Sequence, residues 1–179
     1  MAFHIMNAPV VKIVVFDVDD TLWHGKDDPR ATGRFQRIDD RLVSDGDGHA
    51  QELVLNALEV LEKLRAGGYR LALATMGPED QVHAFMQAFG IDTFFDFGLS
   101  AFDREDKADK IERILRKAAS DDPDVTPSQI VFVDDNQAYL AAVNARFPGV
   151  KCVWAHYAME PGLLMFAEDM AEMHELRLW

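Results

Sequence analysis

Short uninterrupted apolar runs that alternate with helix-period segments constrain this chain most. The runs are Val10–Phe16, Tyr69–Thr75, Phe94–Leu99, Ile130–Val133 and Val150–Trp154, the third being the weakest. A strand with one wet face alternates apolar and polar residues. A continuous apolar run instead suits a strand covered on both faces, as in a parallel sheet. Between the runs, Leu53–Ala66 carries Val54, Ala57, Leu58, Leu61 and Leu64 at helical spacing and is closed by Gly67-Gly68. Pro78–Phe89 opens on a proline suited to the first helical position and has its stripe at Val82, Phe85, Met86 and Phe89, stopping at Gly90. Lys107–Ala119 has Ile111, Ile114, Leu115 and Ala118, and Gln137–Phe147 has Leu140, Val143 and Phe147 before Pro148-Gly149. The alternation predicts a Rossmann-like α/β three-layer sandwich with a central, mostly parallel sheet and right-handed crossovers.

Two segments break this rhythm. Residues 23–50 are polar and rich in Asp, Gly and Arg, longer than most connections in a compact domain, and read as a flap or loop insertion. The tail, at about 161–177, is amphipathic, with Phe166, Met170 and Met173 on one face, and reads as a docked terminal helix. A length of 179 residues fits one domain spanning 1–179 better than two. The net charge of −13 disfavours nucleic acid as a partner, because phosphate backbones would be repelled. No apolar run reaches the length of a membrane span, and Met1–Pro9 lacks the basic start and apolar core of a signal peptide. The single cysteine, Cys152, sits in an apolar run, reads as core, and fits a cytoplasmic location.

The chemistry-bearing residues fall at the carboxyl ends of the expected strands, where open α/β sheets bind ligands. The first run ends in Asp17-Val18-Asp19-Asp20-Thr21, three acids in four positions after a buried strand. Strand alternation puts Asp17 and Asp19 on one side. Such a cluster is costly unless a cation or hydrogen bonds stabilise it. The second run ends in Thr75-Met76-Gly77-Pro78 and leads into a helix, so a hydroxyl stands beside helix N-terminal amides, a good setting for phosphate oxygens. A plain helix-capping role for Thr75 is the alternative. The run at Ile130–Val133 ends in Asp134-Asp135-Asn136, oxygen ligands of the type that Mg²⁺ prefers. Asp45-Gly46-Asp47-Gly48 lacks the remaining ligands of a calcium loop, His24 and His49 read as solvated, and Trp23 reads as packing beside the first strand.

These pieces, in this order, resemble the haloacid dehalogenase-like hydrolases over roughly Val10 to Trp154. The family's D-x-D-x-T matches Asp17 to Thr21, its Ser or Thr after a strand matches Thr75, its lysine matches Lys107 or Lys110, and its acidic pair matches Asp134-Asp135. The absence of a large inserted cap looks like the small, capless magnesium-dependent phosphatase branch, whose members often act on macromolecules or borrow a lid by oligomerising, so a homo-oligomer is an open expectation. The resemblance implies Asp17 as nucleophile and Asp19 as general acid and base. It implies Thr75, the Met76 position and Lys107 as phosphate ligands, and Mg²⁺ held by Asp17, Asp19 (through its carbonyl), Asp135 and Asp134. Helix phase favours Lys107 over Lys110, because Lys107 lies four residues before Ile111 and so on the inward side of the helix start. The expected substrate is a phosphorylated small molecule or phosphoprotein. The alternatives are a phosphomutase or phosphotransferase with the same residues, and a non-catalytic regulatory protein that kept the fold.

Overall fold

The computed structural model describes residues 11–25, 34–45, 48–55 and 57–155. The expected C-terminal helix lies outside these residues. In chain order the elements are β1 (Ile13–Phe16), β2 (Trp23–Gly25), β3 (Gln36–Arg37), β4 (Leu42–Ser44), β5 (Ala50–Leu53), α1 (Ala57–Ala66) and β6 (Arg70–Thr75). They continue with α2 (Glu79–Phe89), β7 (Ala101–Phe102), α3 (Lys107–Asp121), β8 (Ile130–Asp134), α4 (Gln137–Arg146) and β9 (Lys151–Trp154).

Five strands form a central sheet in the order β7-β6-β1-β8-β9, and every neighbouring pair is parallel. Side chains of β1 point alternately to its two faces, and each face has its own core. Val14 and Phe16 pack with Val60, Leu61 and Leu64 of α1 and Val82, Phe85 and Met86 of α2. Ile13 and Val15 pack with Ile111, Ile114 and Ala118 of α3 and Leu140 and Val143 of α4. All four residues of β1 are buried, so the continuous apolar run reflects burial on both sides. Two helices on each face make the three-layer α/β sandwich.

A second, antiparallel sheet in the order β2-β5-β4-β3 occupies the region between β1 and α1. It is anchored by aromatic packing on α2: Trp23 lies 5.6 Å from Phe85 and 5.8 Å from Phe89, and Phe35 lies 4.1 Å from Phe85, between ring centroids. The polar composition of residues 23–50 thus belongs partly to strands of two to four residues with one wet face. In β5, Ala50 and Glu52 are exposed while Gln51 and Leu53 are buried. Leu53 is therefore the end of a strand and not the start of a helix, and α1 begins at Ala57.

The expected strand at Phe94–Leu99 is absent. Asp92–Phe94 form a 3₁₀ turn. Asp96 then closes a second turn: its carbonyl accepts from Leu99 (3.0 Å) and Ser100 (3.1 Å), and its carboxylate bonds Arg70 at 2.5 Å. Local side-chain-to-backbone bonding outweighs strand propensity there. The edge strand forms two residues later, as β7.

Candidate active site

Register assembles the site. Phe16 stands opposite Leu73 on one side and Val133 on the other. The next residue of β1's chain, Asp17, therefore emerges beside Asp134 on β8 and near the end of β6, and its N–H donates to the Val133 carbonyl at 2.8 Å. Asp17 is only 7% exposed, and Asp134, Thr75 and Lys107 are buried at 0–1%. Past Asp17 the chain turns sharply: the Leu22 N–H donates to the Val18 carbonyl at 2.8 Å, and Asp20 adopts φ 56°. Aspartate tolerates the left-handed region better than most residues, which suits it to this position.

Lys107 is the first residue of α3, which Asp106 caps by accepting from the Ala108 N–H at 2.9 Å. Its ammonium donates to Asp17 Oδ1 and, at 2.6 Å, to the Ala74 carbonyl. It also stands 3.2 Å from Asp134 Oδ2. The same ammonium faces two rings, 6.0 Å from the centroid of Phe132 and 5.5 Å from that of Tyr139. Lys110 lies elsewhere. It is equally buried, but it donates to the carbonyl (2.7 Å) and carboxylate (2.6 Å) of Asp103. The two lysines thus do different jobs: one meets the acidic cluster, the other holds the loop between β7 and α3.

Asp17, Asp134 and Asp135 each bring a carboxylate oxygen within 4.8 Å of the others. The Asp19 carboxylate is not part of that group; Asp19 is half-buried, one turn away. Burial, opposed by Lys107, raises the Asp17 pKa above the usual carboxylate range. Burial, with Lys107 opposing and the Asp17 charge adding, pushes Asp134 up to about 6. Asp135 is also raised, by burial and then by the charges of Asp17 and Asp20. Asp134 Oδ2 is buried and meets Lys107 Nζ at 3.2 Å as an ion pair, outside hydrogen-bond geometry. Three crowded carboxylates offset by one lysine leave an excess of negative charge that fits a hard divalent cation with oxygen ligands such as Mg²⁺.

Thr75 Oγ1 accepts from the Gly77 N–H at 3.0 Å, fixing the turn that leads into α2. A Cβ on Gly77 would stand 3.0 Å from Val82 Cγ2 and 3.4 Å from that hydroxyl, so the tight turn favours glycine. Met76 is 40% exposed. Cys152 is half-buried with its thiol pushed up to about 11 by burial and then by Asp134, which suits packing rather than nucleophilic chemistry. Sequence reasoning assigned no role to three residues that touch the site. Thr21 Oγ1 accepts from the Asp135 N–H at 3.1 Å, joining the two acidic loops. Trp154 Nε1 donates to the Asp135 carbonyl at 2.8 Å. Tyr139 faces Lys107. Only Thr21 stood inside a motif; the others depend on tertiary packing.

Fold and site together define a Rossmann-like α/β protein that gathers carboxylates and one lysine at the carboxyl edge of a parallel sheet. Residues 34–155 match the family model for the haloacid dehalogenase-like hydrolases, and the chain belongs to that family. The matched span begins after Asp17–Thr21, so the first acidic motif rests on the sequence and structure themselves. Among solved structures, the N-terminal part of the protein BF1531 from Bacteroides fragilis, containing a phosphatase domain complexed with Mg, is similar with TM-score 0.59 and 20% identity. That alignment covers 93% of this chain but 42% of the other, so this chain spans less than half of that protein's length. A predicted phosphoglycolate phosphatase from Haemophilus somnus 129PT gives TM-score 0.58 and 19% identity over 82% of this chain and 85% of that one. CbbY from Rhodobacter sphaeroides, in complex with phosphate, gives 0.56 and 18% over 82% and 88%. At these identities the likeness is one of fold. Among the described residues, no helix is long and apolar enough to cross a membrane.

Proposed function

We propose that the protein is a Mg²⁺-dependent phosphatase that hydrolyses phosphomonoesters through an aspartyl phosphate on Asp17. The observation that carries this reading is the convergence of Asp17, Asp134 and Asp135 on one point, with Lys107 bonded to Asp17. Asp17, Asp134, Asp135 and the Asp19 carbonyl would hold the metal, which when bound neutralises the carboxylates and the incoming phosphate charge.

The rest of the reaction belongs to this chain's side chains. A carboxylate oxygen of Asp17 attacks phosphorus, and the bond from phosphorus to the leaving oxygen breaks. Asp19, outside the carboxylate cluster, gives that oxygen a proton. It then takes a proton from water as the water oxygen attacks the phosphorus of the aspartyl phosphate. The bond to Asp17 breaks, releasing inorganic phosphate and restoring both acids. Lys107 and the Thr75–Gly77 turn hold the transferring oxygens, where fixed charge stabilises the transition state. On this reading the described residues belong to one hydrolase domain, and the β2–β5 sheet serves as the flap, with no large cap among the described residues. Neighbours described as a predicted phosphoglycolate phosphatase and as a complex with phosphate support a phosphorylated small molecule as substrate.

The test is phosphate release from p-nitrophenyl phosphate, with EDTA and with added Mg²⁺. Activity that vanishes in EDTA and returns with Mg²⁺ is expected. Turnover in metal-free buffer, or none under any condition across a panel of phosphomonoesters, would overturn the reading.

A further inference from the structure

Lys107 has polar partners on one side and aromatic faces on the other. Asp17, the Ala74 carbonyl and Asp134 take one side. Phe132, a fully buried residue of β8, and Tyr139 close the other, with centroids 6.0 and 5.5 Å from Nζ. The two rings differ in one respect. Phe132 is locked in the core, whereas Tyr139 is half-buried in the first turn of α4, so of the two rings it is Tyr139 that reaches from the ammonium to the surface.

The position of Tyr139 follows from the acidic motif. Asp134 Oδ1 accepts from the Asn136 N–H at 2.8 Å, and the Asn136 side chain accepts from Ala138 N–H at 2.9 Å, capping α4. The Tyr139 N–H donates to the Asn136 carbonyl at 3.0 Å. The residues that start α4 therefore also aim its first-turn aromatic at Lys107. A cation within 6 Å of a ring centroid is attracted by the ring's negative face, more strongly when water is excluded.

We propose that Tyr139 is a positioning residue for Lys107: its ring holds the ammonium against the acidic cluster and keeps water from its outer side. Water on that side would let the ammonium turn outward and would screen its charge, weakening its hold on a transferring phosphoryl group. The ring, and not the phenol hydroxyl, does this. The proposal rests on the role given to Lys107 above, but the placement of the ring can be tested apart from it.

Two variants and two readouts decide the matter. Tyr139→Leu removes the ring, and Tyr139→Phe keeps it while deleting the hydroxyl. In the Leu variant, kcat/KM for p-nitrophenyl phosphate is expected to fall about tenfold, mostly in kcat, with the ring attraction setting the scale. Brief acylation with an amine-directed ester, followed by peptide mass spectrometry, reads Lys107 exposure against Lys151 as internal reference. Labelling of Lys107 should rise at least about fivefold in the Leu variant, and Tyr139→Phe should restore both readouts to within about twofold of wild type. Unchanged Lys107 labelling in Tyr139→Leu, or a Phe variant as impaired as the Leu variant, would overturn the proposal. Should Tyr139→Leu melt well below wild type, Tyr139→Met takes its place under the same criteria. If the wild type hydrolyses no phosphomonoester, the proposed function fails while the labelling comparison still decides where the ring acts.

Discussion

Replacing Lys107 with methionine keeps the length of the stem and removes only the charge. The ammonium bonds Asp17 and stands 3.2 Å from Asp134 Oδ2. At an effective dielectric of about 20, one such contact corresponds to about 5 kcal/mol of attraction. Removing one partner of a buried pair typically costs about 3–5 kcal/mol, because an uncompensated charge remains. The lower end applies here. Asp134, already pushed up to about 6, can take up a proton near neutrality at small cost. A loss of about 3 kcal/mol in a domain of this size lowers Tm by roughly 6–12 °C. The sign of the pH dependence follows. Without the cation, the carboxylates are raised further above their unfolded values, so the folded state holds more protons than the unfolded one. Stability then falls as pH rises through the folded pKa and is recovered as pH drops toward the unfolded value of 3.8. Calorimetry of Lys107→Met in Mg²⁺-free buffer should therefore show a deficit at pH 7.5 that shrinks by pH 5.5. The variant should also lose about a hundredfold or more in kcat/KM. A Tm within about 3 °C of wild type at pH 7.5, or a deficit that ignores pH, would refute the account of Lys107 as the counter-charge of the cluster.

Asp17→Asn preserves shape but offers an amide where a nucleophile is needed. Turnover should drop below about a tenth of wild type, with the far-ultraviolet circular dichroism unchanged and no hydroxylamine-labile phosphate trapped on the protein. Thr21→Val leaves the Asp135 N–H without its acceptor and should cost about 1–3 kcal/mol in denaturant unfolding; an unchanged midpoint would mean that the bond between the acidic loops contributes nothing. At Asp103, burial works against the charge, but Lys110 and Arg113 outweigh it and hold the carboxyl well below the usual range. Its stabilising effect is thus present above pH 3.8 and lost as pH falls, so the Tm gap between wild type and Asp103→Asn should narrow in acid; a constant gap would count against the pairing.

How much of this was legible depended on which forces set each element. Strands β1, β6 and β8 could be read because burial on both faces writes a continuous apolar run; β9, at the sheet's edge and only partly buried, was marked by its own apolar residues Cys152, Val153 and Trp154. Helix phase favoured Lys107 over Lys110 through its place four residues before Ile111, and Lys107 is the one whose ammonium bonds Asp17. What the same phase could not show is that Lys110 is buried too, because its partner Asp103 comes from a loop with φ 139° that no periodicity reveals. The strand expected at Phe94–Leu99 failed where Asp96 used its own side chain to make turns. The second sheet was hidden by brevity: two- to four-residue strands leave no period to detect, and their pairing partners are set by packing on α2. The acidic motifs marked the candidate site, yet Tyr139 and Trp154 reach it only through the folding of α4 and β9 against the rest.

The order of the central sheet has a consequence for how the chain is made. Asp17 directly follows the middle strand, but its partners arrive late in synthesis: Lys107 lies 90 residues downstream, and the loop residue that meets Thr21 lies 114 residues beyond Thr21. Contacts this distant form slowly, because loop closure must precede them. The order of arrival is favourable for a chain emerging from its N-terminus. Lys107 is translated before Asp134 and Asp135, so the cation is available before the carboxylates that crowd Asp17. A nascent chain never has to bury the full set of acids without its compensating charge, and while β8 is missing the middle strand lacks one neighbour and Asp17 stays in water. Truncations ending before β8 should accordingly leave Asp17 open to carbodiimide labelling, and chains extended through Asp135 should protect it.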